Sequence, residues 1–422
     1  MDNVALRRLI DDPIDWRYKG FPTTQPAVTP ATIGQCGWSL TAGDLPLPVL
    51  AIREDAVAAN IATMRTWCET FDVSLAPHGK TTMAPELFAR QMDAGAWAMT
   101  VANVAQGAVC VAFGVPRILI ANEVVEPSAI RWIGDAQRAG SEVWMLVDSV
   151  VGIERLVAAR AADDPPIRVL LEIGMPNGRA GVRGSAAADQ VAAAAAAADG
   201  VVLSGVAGWE GHISGSDLAV VEQQVDEYLR DVRATVERLD AAGLFAGLDE
   251  VVVSAGGSAW FDRVTQLLRP EISTPVRLVL RSGCTVSHDD GLYHRLSPFE
   301  RQSVPGSGRL VAALEAWGAV LSQPEPGLAI VGIGKRDVSF DIDLPMPRWV
   351  SRDGVVRDLD GWQVVALNDQ HAFLRHQQIG DLAVGDLVGF GISHPCTSFD
   401  KWRLLPLIDA ERRVVGAIHT CF

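Results

Sequence analysis

The sequence predicts an α/β protein, a TIM (β/α)8 barrel followed by a C-terminal β-domain. Three observations carry that reading. From about residue 70 to 285, short β-branched apolar runs alternate with Ala/Leu/Arg-rich stretches of helical length. About eight such units fit into roughly 220 residues, the size of a barrel. Beyond about residue 300 the helical stretches drop out.

The strand-like runs are Ser74 to Pro77, Trp97 to Asn103, Arg117 to Glu123, Glu142 to Asp148, Arg168 to Ile173, Val201 to Gly208, Glu250 to Ser254 and Val276 to Leu280. A doubly wound sheet would use fewer strands and open on a GxGxxG turn, which is absent. Between the runs, SAAADQVAAAAAAADG is built from strong helix formers and stops at Gly200, and DLAVVEQQVDEYLRDVRATVERLDAAG is amphipathic and stops at Gly243. RLVAALEAWGAVLSQ, GLAIVGIG, WQVVALND and DLVGFGIS then read as strands separated by Gly/Pro/Asp turns. The expected division is an N-terminal extension over 1–50 whose LPVLAI run packs with the β-domain, a barrel over 51–297, and a β-domain over 298–422.

Composition narrows the function. The 422 residues carry 36 Lys+Arg against 51 Asp+Glu, a net charge of −15, without a basic block or stripe. Such a surface repels phosphate backbones, so nucleic acid is not an expected partner. The longest apolar stretch, Val191 to Ala198, is far short of the roughly 20 residues of a membrane span, and the acidic start MDNVALRRLIDDPIDW lacks the core of a signal peptide. Six cysteines without a CxxC suit reduced thiols, and the expected location is the cytoplasm.

In a barrel of this type, chemistry sits where strands end. The first run closes on Pro77-His78-Gly79-Lys80-Thr81, which is not a phosphate-binding P-loop, because that motif needs Gly where this chain has Ser74. A lysine after a strand is most simply a solvated charge. Its functional reading is a Schiff-base nucleophile, which must be neutral; at an ordinary pKa of about 10.4, only about one such amine in 2,500 is neutral at pH 7, and a desolvated mouth beside His78 would raise that fraction. The seventh run leads into Ser254-Ala255-Gly256-Gly257-Ser258 and the eighth into Arg281-Ser282-Gly283-Cys284. One such turn is ordinary punctuation; two at matched strand ends, opposite a candidate Schiff-base lysine, point to pyridoxal 5'-phosphate. Arg179 follows the fifth run, and Trp209 to His212 follow the sixth. Near the C-terminus, His394 and Cys396 stand two apart, a pair that shares one face if extended and whose imidazole and thiolate suit zinc. Taken alone, the pair is more readily incidental than metal-binding. Asn368-Asp369-Gln370-His371 is a further polar segment, with His371 equally readable as structural.

In this order along the chain, PHGKTTMAPELFARQMDAGAWAMTVANVAQ, EIGMPNGRAGV, GWEGH, SAGGSAW, GKRDVSFD and GDLVGFGISHPCTSFDKW resemble the D-serine dehydratase and D-threonine aldolase family of fold-type III pyridoxal phosphate enzymes. The similarity runs from about residue 45 onward, with HGKT and HPC its most specific parts. The resemblance implies an alanine-racemase-like barrel, a homodimer with its active site between barrel and β-domain, and a divalent metal. It makes Lys80 the Schiff-base lysine, sets Gly256, Gly257, Ser258, Gly283 and Cys284 around the phosphate, matches Arg179 and His212 to the cofactor pocket together with His78 and Trp209, and makes His394 and Cys396 the metal pair. The family's aldolases tend to carry HxD at that pair and its dehydratases HxC, so the expected reaction is dehydration of a D-3-hydroxy amino acid, such as D-serine or D-threonine, to a 2-oxo acid and ammonia. Retro-aldol cleavage to glycine and an aldehyde is the alternative within the family, and a non-catalytic pyridoxal phosphate carrier the alternative outside it. The thiolate favours zinc over manganese. Two departures stand out: Trp209 where the family usually has Tyr, and a leading stretch of about 40 residues without a counterpart.

Overall fold

The structure, a computed structural model, describes residues 1–23, 28–301, 308–378 and 380–422. The chain divides into two compact units. One comprises Met1–Asp2, Arg65–Lys80 and Gln91–Gly283, and the other Asn3–Met64, Thr81–Arg90 and Cys284–Phe422.

The first unit is the expected parallel eight-stranded sheet. Its strands are Ser74–Leu75, Met99–Val101, Arg117–Glu123, Glu142–Val147, Ile167–Ile173, Val201–Gly208, Val251–Ala255 and Val276–Leu280, one in each predicted run. From the second to the eighth, strands adjacent in the chain pair with one another, and the first pairs with the eighth. A bridge between His78 and Thr100 joins the first strand to the second and closes the ring; the Thr100 hydroxyl donates to the Ala76 carbonyl at 2.6 Å. Ala76, Ala98, Leu119, Leu146, Leu170, Ala207, Val252 and Val279 form one buried cluster. Residues in or directly beside all eight strands can meet in this way only inside the ring.

The connecting helices follow the sequence signals. Asn103 caps Val104–Ala112 by accepting the Gln106 N–H, while the Gln106 side chain accepts the Ala102 N–H, a reciprocal cap. Ser149 and Asp217 cap Val150–Ala159 and Leu218–Ala241. The long helix buries Val221, Val225, Tyr228, Leu229, Val232, Val236 and Leu239, the helical period on one face. Gly205 marks a register shift between the fifth and sixth strands; a Cβ there would lie 1.9 Å from the Val252 carbonyl oxygen, so no other residue fits.

The second unit is a largely antiparallel ten-stranded sheet. The long strand Leu314–Glu325 pairs with Leu387–Gly391 on one side, and with Val49–Arg53 and then Leu328–Val331 on the other. Val49–Arg53 lies mid-sheet, antiparallel to Leu314–Glu325 and parallel to Leu404–Ile408. Its residues alternate between two cores: Leu50 and Ile52 join a cluster with Val388, Phe390 and Trp402, and Val49 and Ala51 join one with Trp317 and Leu404. Ile14, Tyr18, Phe21, Ile33, Trp38 and Leu40 complete the latter cluster. Among the described residues, no helix is long and apolar enough to cross a membrane.

Candidate active site

At the mouth of the ring, Lys80 sits exposed on the 3-10 turn Gly79–Thr81 that follows the first strand. Beside it, the Nδ1 atom of His78 is shielded from solvent without a partner among the described residues. Burial pushes the His78 imidazole well below its ordinary range, and the positive charges of Lys80, Arg281 and Arg179 push it further. That common influence brings four residues from three strand ends into one electrostatic neighbourhood.

After the fifth and sixth strands the structure joins Arg179, Trp209 and His212. The Arg179 guanidinium lies 4.5 Å from the Trp209 ring centroid, and the Trp209 and His212 rings are 5.5 Å apart. Both His212 ring nitrogens are shielded and lack a partner among the described residues. Tyr228, on the long helix, holds the segment in place: its hydroxyl donates to the Ile173 carbonyl at 2.6 Å and accepts the Trp209 N–H at 2.9 Å.

Two carboxylates that the sequence reading left unassigned close strands at the same mouth. Glu172, 2% exposed on the fifth strand, pairs with Arg179 at 3.3 Å. Glu123 ends the third strand, and burial together with the neighbouring Glu172 pushes its carboxyl up to about 8. Glu123 ends the predicted run Arg117 to Glu123 and Glu172 lies in the predicted run Arg168 to Ile173.

The two Gly-rich turns also meet. The Ser282 hydroxyl donates to the carbonyls of Gly256 (3.2 Å) and Gly257 (3.1 Å), and the Arg281 N–H donates to Gly256 at 3.1 Å. Arg281 is itself buried, donating to the Ser254 hydroxyl and the Gly208 carbonyl. A residue that the sequence reading passed over organises the first turn. The fully buried carboxylate of Glu210 accepts the N–H groups of Gly256 (3.1 Å) and Gly257 (2.6 Å). Ser258 and Gly283 lie in the same pair of turns.

In the second unit, His394 and Cys396 are not in an extended strand, so the shared face that an extended pair would have does not apply. His394 has a left-handed backbone (φ +58°), its N–H held by Asp289 at 2.8 Å, and Cys396 begins the short helix Cys396–Phe399 behind Pro395. Asp289 also accepts the N–H groups of Gly291 and Tyr293, so one buried carboxylate fixes the turn from two directions. Asp341 Oδ2 lies 2.5 Å from Nδ1 of His394, and Thr397 donates to the other Asp341 oxygen at 2.8 Å. Cys396 Sγ is 3.4 Å from the Thr81 hydroxyl and 3.5 Å from Cys284 Sγ. Cys284, buried in this unit, has its thiol pushed well up by the Cys396 sulfur beside it and by burial. His371 is exposed in the turn between two strands. Among the described residues, no three His, Cys, Asp or Glu side chains gather as a metal cluster.

Residues 52–271, more than half of the chain, match the family described as "Alanine racemase, N-terminal domain". The chain belongs to the alanine racemase N-terminal domain family. Within this fold-type III pyridoxal phosphate family, its residues 313–408 also match the family described as "Putative serine dehydratase domain". The 3-hydroxy-D-aspartate aldolase of Paracoccus denitrificans (strain Pd 1222) is 26% identical over 339 residues, 78% of this chain and 84% of that protein. The solved D-threonine aldolase from Filomicrobium marinum has a TM-score of 0.77 at 23% identity, covering 91% of this chain and 97% of its own. The D-threo-3-hydroxyaspartate dehydratase from Delftia sp. HT23 has a TM-score of 0.70 at 23% identity, covering 89% and 98%. The homologues are pyridoxal phosphate-dependent lyases acting on D-amino acids.

The barrel-mouth residues fit the family's cofactor. Lys80 supplies an amine, Trp209 and His212 supply flat faces with the His212 nitrogens unengaged, and a Cβ on Gly178 would come within 3.1 Å of His212 Nε2, so the glycine keeps that ring uncrowded. A metal fits the other pair by its donor chemistry. A carboxylate on Nδ1 of His394 leaves Nε2 to act as a ligand, the usual arrangement behind a metal-bound imidazole, with Cys396 as the thiolate.

Proposed function

We propose that the protein is a pyridoxal phosphate- and metal-dependent lyase that dehydrates a D-3-hydroxy amino acid to a 2-oxo acid and ammonia. The observation that carries the choice of reaction is the HxC pair, His394 and Cys396, with Asp341 behind the imidazole. The solved relatives support it, because the Delftia dehydratase includes a cysteine-to-alanine mutant described as metal-free and a histidine-to-alanine mutant, at positions two residues apart. His394 and Cys396 have that spacing.

In this reading Lys80 holds the cofactor and is the base for the α-proton. The bound cofactor supplies an electron sink for the charge left on the α-carbon. Arg179, drawn between Glu172 and the Trp209 ring, fixes a cation at the mouth; His78, which burial and three cations keep neutral, offers one ring N–H donor and one acceptor nitrogen. His394 and Cys396 would hold a zinc ion, whose Lewis acidity makes a 3-hydroxyl a better leaving group.

A second reading, retro-aldol cleavage, is favoured by the names of relatives that cover most of the chain, such as the Paracoccus aldolase. D-Threonine separates the two. Incubated with pyridoxal phosphate- and zinc-loaded protein, it should yield 2-oxobutyrate and ammonia. Glycine and acetaldehyde would overturn dehydration in favour of cleavage.

A further inference from the structure

Cys284 and Cys396 come from segments 112 residues apart, yet their sulfurs stand 3.5 Å from one another. An S–S bond is about 2.05 Å, so the two atoms need to close by about 1.5 Å, within the reach of side-chain rotation. The pair is asymmetric. Cys396 is partly exposed at the start of a four-residue helix, whereas Cys284 is buried at 4% exposure in the 3-10 turn Cys284–Val286. Thr81 sits against both sulfurs, at 3.4 Å from Cys396 and 3.7 Å from Cys284, so neither faces hydrocarbon alone. An exposed attacking sulfur with a second, shielded one behind it is the layout of an oxidisable dithiol.

We propose that Cys284 and Cys396 form a reversible redox modification site, with Cys396 the sulfur that meets the oxidant and Cys284 the sulfur that resolves it. With a low-molecular-weight disulfide such as oxidised glutathione, the Cys396 thiolate attacks one sulfur, forming a mixed disulfide and releasing one glutathione thiolate. The Cys284 sulfur then attacks Cys396, breaking the mixed disulfide and releasing the second. The two protein sulfurs are oxidised, the glutathione disulfide is reduced to two thiols, and the two protein thiol protons pass to the released thiolates. The consequence for activity rests on the function proposed above: once bonded to Cys284, Cys396 has no thiolate to give a metal, so oxidation switches the enzyme off and a bound metal shields the pair.

The test uses the full-length reduced protein, stripped of metal by chelation and then treated with oxidised glutathione. With the exposed Cys36 replaced by serine, the expected product has lost two hydrogens in its intact mass and two titratable thiols, and yields a non-reduced peptide joining Cys284 to Cys396. Dithiothreitol restores the starting mass. Cys68 and Cys110, whose thiols burial pushes up to about 12, are internal controls that stay unmodified. Zinc added beforehand should slow the linkage by roughly tenfold or more. A stable glutathione adduct on Cys396 without the internal link, or a link involving another cysteine, would overturn the proposal. So would a zinc content lowered in Cys284→Ser, which would make the two sulfurs joint metal ligands instead. The mass and thiol readings stand whether or not the protein dehydrates D-amino acids, so failure of that function would not be mistaken for failure of this site.

Discussion

The Glu210 carboxylate accepts the Gly257 N–H at 2.6 Å, fully buried behind the turn that follows the seventh barrel strand. A second oxygen takes the Gly256 N–H, so one side chain satisfies two backbone donors of a Gly-Gly turn. In Glu210→Ala both amides are left buried without that acceptor. The loss of stability should be roughly 1.5–3 kcal/mol, the worth of a charge-assisted hydrogen bond. Urea denaturation of the cofactor-free protein measures it, and an unchanged midpoint would show that the turn holds itself.

Lys80 is exposed, and its removal leaves no buried group stranded. Lys80→Ala should therefore fold with a stability within about 0.5 kcal/mol of the parent. It should also lack any absorbance that borohydride bleaches and turn over no D-threonine. A bleachable chromophore in Lys80→Ala would move the cofactor to another amine.

Glu123 gives stability a pH signature. Its folded-state value, about 8, lies above the ordinary 4.5, because burial and Glu172 disfavour its charge. Between those values the folded protein holds a proton that the unfolded chain releases. The stability tied to Glu123 is then fully present below about 4.5 and is lost as the pH rises through about 8. Glu123→Gln cannot ionise, so its Tm should fall less than the parent's over this interval. Parallel melting curves for the two proteins would contradict the assignment.

Asp341 touches the proposed metal pair only through the His394 imidazole. Asp341→Asn keeps the shape and loses the charge, so zinc affinity should fall by roughly 10–100-fold while far-UV circular dichroism is unchanged. Competition with a coloured chelator measures the affinity, and a wild-type value would leave the imidazole oriented by its backbone alone.

Much of this was legible in the residues. Every predicted run holds one barrel strand, because a strand buried on both faces needs a near-continuous apolar stretch, which runs such as RVLLEI and EVWMLV supply. The link between Arg179, Trp209 and His212 follows from the same logic of strand ends. Less legible were partners far apart in the chain. Glu210 meets Gly256 46 residues on, and Asp341 meets His394 53 residues on; no local pattern encodes either pairing. The local shape of the HxC pair was hidden in the same way, because Asp289, 105 residues earlier, bends His394 into a left-handed turn. Glu123 and Glu172 were visible at strand ends but resemble ordinary solvated charges until burial is known.

The strand Val49–Arg53 carries a consequence for how the chain is made. Ile52 is synthesised early, yet its neighbours in the sheet are Leu314 on one side and Leu407 on the other. The strands from Ser74 to Leu280 need wait only for one another. On the ribosome, the apolar early strand therefore stays without its sheet while the whole barrel is translated. A nascent chain paused before residue 404 still presents one bare strand edge, the state in which such a chain is most open to aggregation and most in need of a chaperone.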